Sequence, residues 1–267
     1  MRVMAHIPTQ TYGFVEVEGT DQELPRIEEL YNKYSEKPLA FRGAPELVSS
    51  EDTGKIITTF TGEQVRYWPD LHRYRTLDNQ KLLSGSHYAE QFAEPFDRDR
   101  LLAMTAKKQG CTVEHISAAW DKRGEMARHF GTALHVAMES WFRFGKDTTY
   151  GIPKIQFLAD AVESFPLKGE DVKPEIMVSD IARRLVGQID GLLITGDMEG
   201  VILDYKTDSK PEKNLKKHAA QLGFYQSILE AHGWTITGRQ IWSFTGSWKK
   251  FDLPEHKVTE ESLKSCR

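Results

Sequence analysis

Two cysteines, Cys111 and Cys266, are all that this chain carries. They are too few for a disulfide framework, a four-cysteine zinc site or an iron–sulfur cluster, and they suit a reducing cytosol. No apolar run approaches the roughly 18–20 residues that cross a bilayer. Met1 to His6 lacks the apolar stretch of a signal peptide, so a cytoplasmic protein without membrane contact is expected. A Gly-x-x-x-x-Gly-Lys-Ser/Thr loop is missing, which excludes an ATP motor within the chain. There is no repeat and no low-complexity tract. A net positive balance is also lacking: 35 Lys and Arg residues stand against 39 Asp and Glu, for a formal net charge of −4. That value does not advertise a nucleic-acid binder, yet an enzyme with an acidic metal cluster can be acidic overall and still present a local basic strip.

The chain has 267 residues, 39% hydrophobic and 28% charged, enough for one large domain or a domain with an appendage. Residues 1–60 form the expected appendage, a small α+β segment. Tyr12 to Glu18 alternates like a strand, Asp21 to Tyr34 carries a helical apolar stripe, and Glu36 to Thr53 is a connector rich in turn residues. Gln64 to Ser84 is predicted as a β meander, with Ser84 or Ser86 capping a helix that enters at His87. Its Arg66, His72, Arg73 and Arg75, mixed with Tyr67, Trp68 and Tyr74, could contact phosphates or bases, although a plain exposed hairpin accounts for them too.

From Asp97 the pattern is helical, and Ser117 to Phe144 is the best helical stretch. A short helix over Lys154–Ser164 follows a loop at 147–153. The period then changes to strands at 175–178, 184–194 and 200–206, then to a helix at 214–232, then to strands at 234–244 and 248–253. Helix, three strands, helix, strand is an α/β order that buries a sheet between helices.

Several polar groups interrupt these apolar strands. Asp190 sits between Ile189 and an apolar run, and Asp204 ends Val201-Ile-Leu203. A carboxylate in such a strand must be paired, protonated or metal-bound. Lys206 follows Asp204 by two, so both leave the same strand face. Two carboxylates can hold a hard divalent cation, and a lysine beside them can steady a phosphate or the water that attacks it. Glu175 opens the first strand, and His135 precedes Glu139 by one helical turn. From Lys206 to His218 five lysines face only two acids, Asp208 and Glu212.

Taken in order, Gly131-Thr-Ala-Leu-His135, Glu175, Gly187-Gln-Ile-Asp190, Asp204-Tyr-Lys-Thr207 and Gln221-Leu-Gly-Phe-Tyr225 resemble the RecB-type branch of the PD-(D/E)XK nuclease superfamily. The resemblance spans roughly 120–245 and leaves residues 1–60 outside. It implies a restriction-endonuclease-like core, a central mixed β-sheet flanked by helices, within a nuclease domain over 61–267. It also implies that His135, Asp190, Asp204 and the Tyr205 carbonyl bind Mg²⁺ or Mn²⁺, that Lys206 orients the attacking water, and that Glu175 supports it. Gln221 and Tyr225 would position the DNA backbone, with Thr207, Lys210, Lys213 and Lys217 continuing that contact.

The implied activity is a metal-dependent deoxyribonuclease, an exonuclease of recombination, repair or phage DNA metabolism that uses no ATP. DNA is the expected partner, together with a separate helicase, recombinase or single-strand-binding protein. Two cysteines depart from relatives that hold an iron–sulfur cluster. The competing readings are a catalytically silent nucleic-acid-binding module, a structure-specific endonuclease, and a zinc hydrolase built on His135 and Glu139. The last is weakened by the missing His-Glu-x-x-His.

Overall fold

The computed structural model describes residues 2–9, 13–20, 54–68, 71–144, 156–167, 171–208 and 210–266, the first two spans as backbone. The helix expected over Asp21–Tyr34, the connector at 36–53 and the loop at 147–153 lie outside these residues. Near the N-terminus, β1 (Arg2–Thr9) pairs antiparallel with β2 (Gly13–Thr20). The meander is three-stranded: β3 (Lys55–Thr58), β4 (Gln64–Trp68) and β5 (Arg73–Arg75), all antiparallel. β3 thus joins residues on both sides of position 60.

Lys81 keeps only a bridge to Arg75. The next residues leave the meander as β6 (Leu83–Ser84), which runs parallel to β8 of the main sheet. Ser84 Oγ then accepts from His87 N and caps α1 (Gly85–Glu90). Helices α2 (Arg98–Gln109) and α3 (Val113–Phe144) follow, and α4 (Gln156–Glu163) packs behind them.

The main sheet is mixed. β7 (Val172–Asp180), β8 (Leu185–Gly196) and β9 (Glu199–Lys206) are antiparallel neighbours. The helix α5 (Leu215–Ala231) returns the chain so that β10 (Thr235–Phe244) lies parallel to β9, and β11 (Trp248–Asp252) closes that edge. Helices cover both faces. Leu222, Phe224 and Ile228 of α5, with Tyr88 of α1, pack on Leu185, Ile189 and Ile202. Leu134, Met138 and Phe142 of α3, with Leu158 of α4, pack on Leu203, Tyr205 and Trp242. This is the expected α/β core with a mixed sheet between helices.

α5 is buried over most of its circumference, from His218 to Leu229, because it is covered twice. The sheet takes one side. On the other, a Cβ built on Gly223 would meet the His256 carbonyl oxygen at 2.6 Å, and α6 (Glu260–Lys264) follows with Leu263 in the same core. Among the described residues no helix is long and apolar enough to cross a membrane.

Candidate metal centre and cleft

The site lies where β8 and β9 part. Their ladder runs from Gly196 with Glu199 to Gly191 with Leu203 and stops there. Asp204, Tyr205 and Lys206 stay paired only to Ile241, Trp242 and Ser243 of β10. The Tyr205 N–H, which has lost its β8 carbonyl, donates instead to Asp190 Oδ2 at 2.9 Å. A side chain therefore satisfies the buried donor that the ladder leaves open.

A second irregularity coincides with the first. In a regular strand even-numbered residues share a face. In β7, however, Val172 packs on the α3 side while Val178 packs on the α5 side. β8 changes phase as well: Leu193 leans on the α3 cluster, Ile189 belongs to the α5 cluster. Pro174 pairs with Gly191 and Ile176 with Ile189, so the register is unbroken and no residue is inserted. The change falls on Glu175 and Asp190, the two positions between those pairs. Glu175 has a φ of +47°, a conformation that non-glycine residues adopt at a cost of order 1–3 kcal/mol. Glu175 was expected to open its strand; it lies inside it, at the kink.

His135 of α3 completes the group. One ligand atom each from His135, Glu175 and Asp190 lie within 4.8 Å of one another. Nδ1 is 3.5 Å from Glu175 Oε1 and 3.6 Å from Asp190 Oδ1. Nε2 lies 3.1 Å from the Tyr205 carbonyl, and donation to that oxygen leaves Nδ1 facing the acids. Gln188 Nε2 donates to Glu175 Oε2 at 2.5 Å. The Tyr205 carbonyl, expected as a ligand, accepts here from His135 and, at 3.3 Å, from Lys206 Nζ.

The electrostatics are those of crowded acids under cover. Burial raises the Asp190 carboxyl to about 6; His135 opposes the rise and Asp204 adds to it. Burial alone would lower His135, but the neighbouring Asp190 and the hydrogen bond with Glu175 outweigh it and lift the imidazole to about 9. Lys206 behaves alike: burial disfavours its charge, and Asp204 and Asp190 reverse the sign, so its pKa rises. A proton on His135 and the Lys206 ammonium thus hold positive charge among three carboxylates. One imidazole nitrogen and two carboxylates at this spacing form a donor set suited to a divalent cation.

Asp204 is 4% exposed and stands outside the three-residue group. Its Oδ2 lies 2.5 Å from Lys206 Nζ, a charge contact without hydrogen-bond alignment. Tyr225 lines the cleft, and Gln221 Nε2 donates to its hydroxyl at 3.0 Å. The Tyr225 ring explains two glycines: a Cβ on Gly85 or on Gly187 would fall 2.2 Å from its Cε1. Thr207 stands near the helix, with Oγ1 3.9 Å from a Cβ placed on Gly131. Lys210, Lys213 and Lys217 are not among the residues lining the cleft, and Lys217 Nζ is held at 2.6 Å by Glu90. Glu139 lines the cleft but pairs with Arg143 at 2.7 Å. Sequence reasoning missed Gln188, which lies inside the Gly187–Asp190 motif, and Arg128, two helical turns before His135 on the cleft wall.

A helix-flanked mixed sheet with carboxylates gathered where two strands part defines a nuclease-type core. The family model of the PD-(D/E)XK nuclease superfamily matches residues 89–262, and the chain belongs to that superfamily. No curated protein sequence matches the chain. A solved structure described as the crystal structure of SSO0001 aligns at 10% identity and a TM-score of 0.32, over 67% of this chain and 78% of that one.

Proposed function

We propose that the chain is a Mg²⁺- or Mn²⁺-dependent deoxyribonuclease. One observation carries this reading: His135, Glu175 and Asp190 converge within 4.8 Å beside the Asp204–Lys206 pair, in a nuclease-superfamily core. His135, Glu175 and Asp190 would hold the ion, with Asp204 adjoining. A bound cation supplies Lewis-acid charge neutralisation and a water of lowered pKa. The protein's own groups do the rest. Gln188 holds one oxygen of Glu175, and the Tyr205 carbonyl orients the His135 ring. Lys206, its pKa raised by Asp204 and Asp190 against the effect of burial, remains an ammonium at neutral pH. Its role is therefore to neutralise charge on the phosphate oxygens and to orient water, not to take a proton. Tyr225, wedged between Gly85 and Gly187, and Gln221 bound to it present a fixed polar edge to the DNA backbone.

The exonuclease reading, and a place in recombination, repair or phage DNA metabolism, rest on the resemblance to RecB-type enzymes alone; a cytoplasmic location rests on the two cysteines and the polar N-terminus. Cleavage of 5′- and 3′-labelled linear, circular and single-stranded DNA with Mg²⁺, Mn²⁺ or EDTA tests both levels. Metal-dependent release of nucleotides from ends, with circles untouched, supports the exonuclease. Nicked or linearised circles would replace it with an endonuclease, and no cleavage under any condition would overturn the enzyme.

A further inference from the structure

The candidate metal centre opens into a cleft of about 660 Å³ between α3 and the β5–β6 region. A second cavity of about 260 Å³ adjoins it, and the two share His72, Tyr74 and Ser84 as lining residues. Their charge differs. The first gathers Glu139, Glu175 and Asp190, with Arg128, His72 and His135 as its basic lining residues. The second, among the described residues, has no acidic lining residue and carries Arg73, Lys81 and His87. Among the described residues none of these three side chains has an ion-pair partner. The cations nearer the helix differ: Lys206 pairs with Asp204 and Lys217 with Glu90.

We propose that a single strand of DNA runs from the metal cleft across Ser84 into this second cavity, where Arg73 and Lys81 hold its phosphates. The inference rests on the nuclease reading and adds the substrate class and its path. Unpaired cations beyond an acidic centre suit a polyanion whose charges repeat along its length. Ser84 and Ser86, at the junction and on the cleft wall, offer hydroxyls to the same backbone. Leu71, 59% exposed at the rim of the second cavity, gives a base or sugar an apolar surface. Cavities of this size enclose ligands on the scale of a few nucleotides, so one strand enters and a duplex stays outside.

The test is binding of a fluorescent oligothymidylate and of the matching duplex, read by anisotropy in EDTA over a range of salt. An Arg73→Ala/Lys81→Ala variant should weaken single-strand binding by about tenfold and reduce the slope of log affinity against log salt by about 1.4, two contacts at ~0.7 each. Lys249→Ala/Lys250→Ala, which removes the same charge from β11 at the far edge of the sheet, should leave the slope unchanged. Equal slopes in the Arg73/Lys81 variant and wild type would overturn the path. So would an equal loss in the β11 variant, or a larger loss for duplex than for single strand. Because binding is read without metal, failure of catalysis in the wild type would count against the nuclease reading and leave this result standing.

Discussion

The two ends of β9 belong to one continuous strand and behave differently. From Glu199 to Leu203 the strand is paired on both edges. From Asp204 to Lys206 it is paired only to β10, and Asp190 takes the vacated Tyr205 N–H. The first end is ladder; the second is site. Chemistry becomes possible where a backbone pairing is replaced by a side chain, because that side chain is drawn into the sheet with its charge. The cost is visible in the raised Asp190 carboxyl and in the positive φ of Glu175 across the ladder.

The largest expected effects break the site end. Asp190→Asn should abolish metal-dependent cleavage, and Lys206→Ala should lower turnover by roughly 10²–10³-fold, both measured on labelled DNA. Stability should separate these losses from damage to the fold. Asn retains an acceptor for the Tyr205 N–H and removes a buried charge, so thermal melting of Asp190→Asn should match or exceed wild type. Asp190→Ala leaves that N–H unpaired and should cost about 1–3 kcal/mol.

Smaller effects sharpen the contrast through glycine. Gly187→Ala drives a methyl into the Tyr225 ring, at 2.2 Å, and should destabilise by about 1–3 kcal/mol in denaturant titrations. Gly131→Ala, in the helix that faces the same cleft, meets nothing closer than Thr207 Oγ1 at 3.9 Å. It should be neutral or stabilising, by up to ~1 kcal/mol, from helix propensity.

Much of this contrast was legible in the order of residues. The apolar run ending in Asp204, the two-residue step to Lys206 and the helix carrying Gln221 and Tyr225 all lie where their periodicity places them. Glu175 did not, because a left-handed φ inside a strand has no local signature; only the cross-strand phase change reveals it. The parallel pairing of Leu83–Ser84 with Leu185–Val186 joins segments far apart in the chain, so a local meander was the simpler reading. Proximity to Lys206 alone suggests a DNA strip along the lysines that follow it. Lys217 proves to be tied to Glu90, 127 residues away, a contact that no sequence window contains.

Calorimetric titration of Mn²⁺ asks whether His135, Glu175 and Asp190 hold a divalent cation at the parted strands. A metal ligand must lose its proton, so affinity should climb as pH rises past about 6, where Asp190 ionises, and on towards about 9, where His135 sheds its proton and becomes neutral. Between those values, runs in buffers of different ionisation enthalpy should report about one proton released per ion, from His135. Asp190→Asn should bind far more weakly. Absence of Mn²⁺ binding, or equal and pH-independent binding in wild type and Asp190→Asn, would contradict the account.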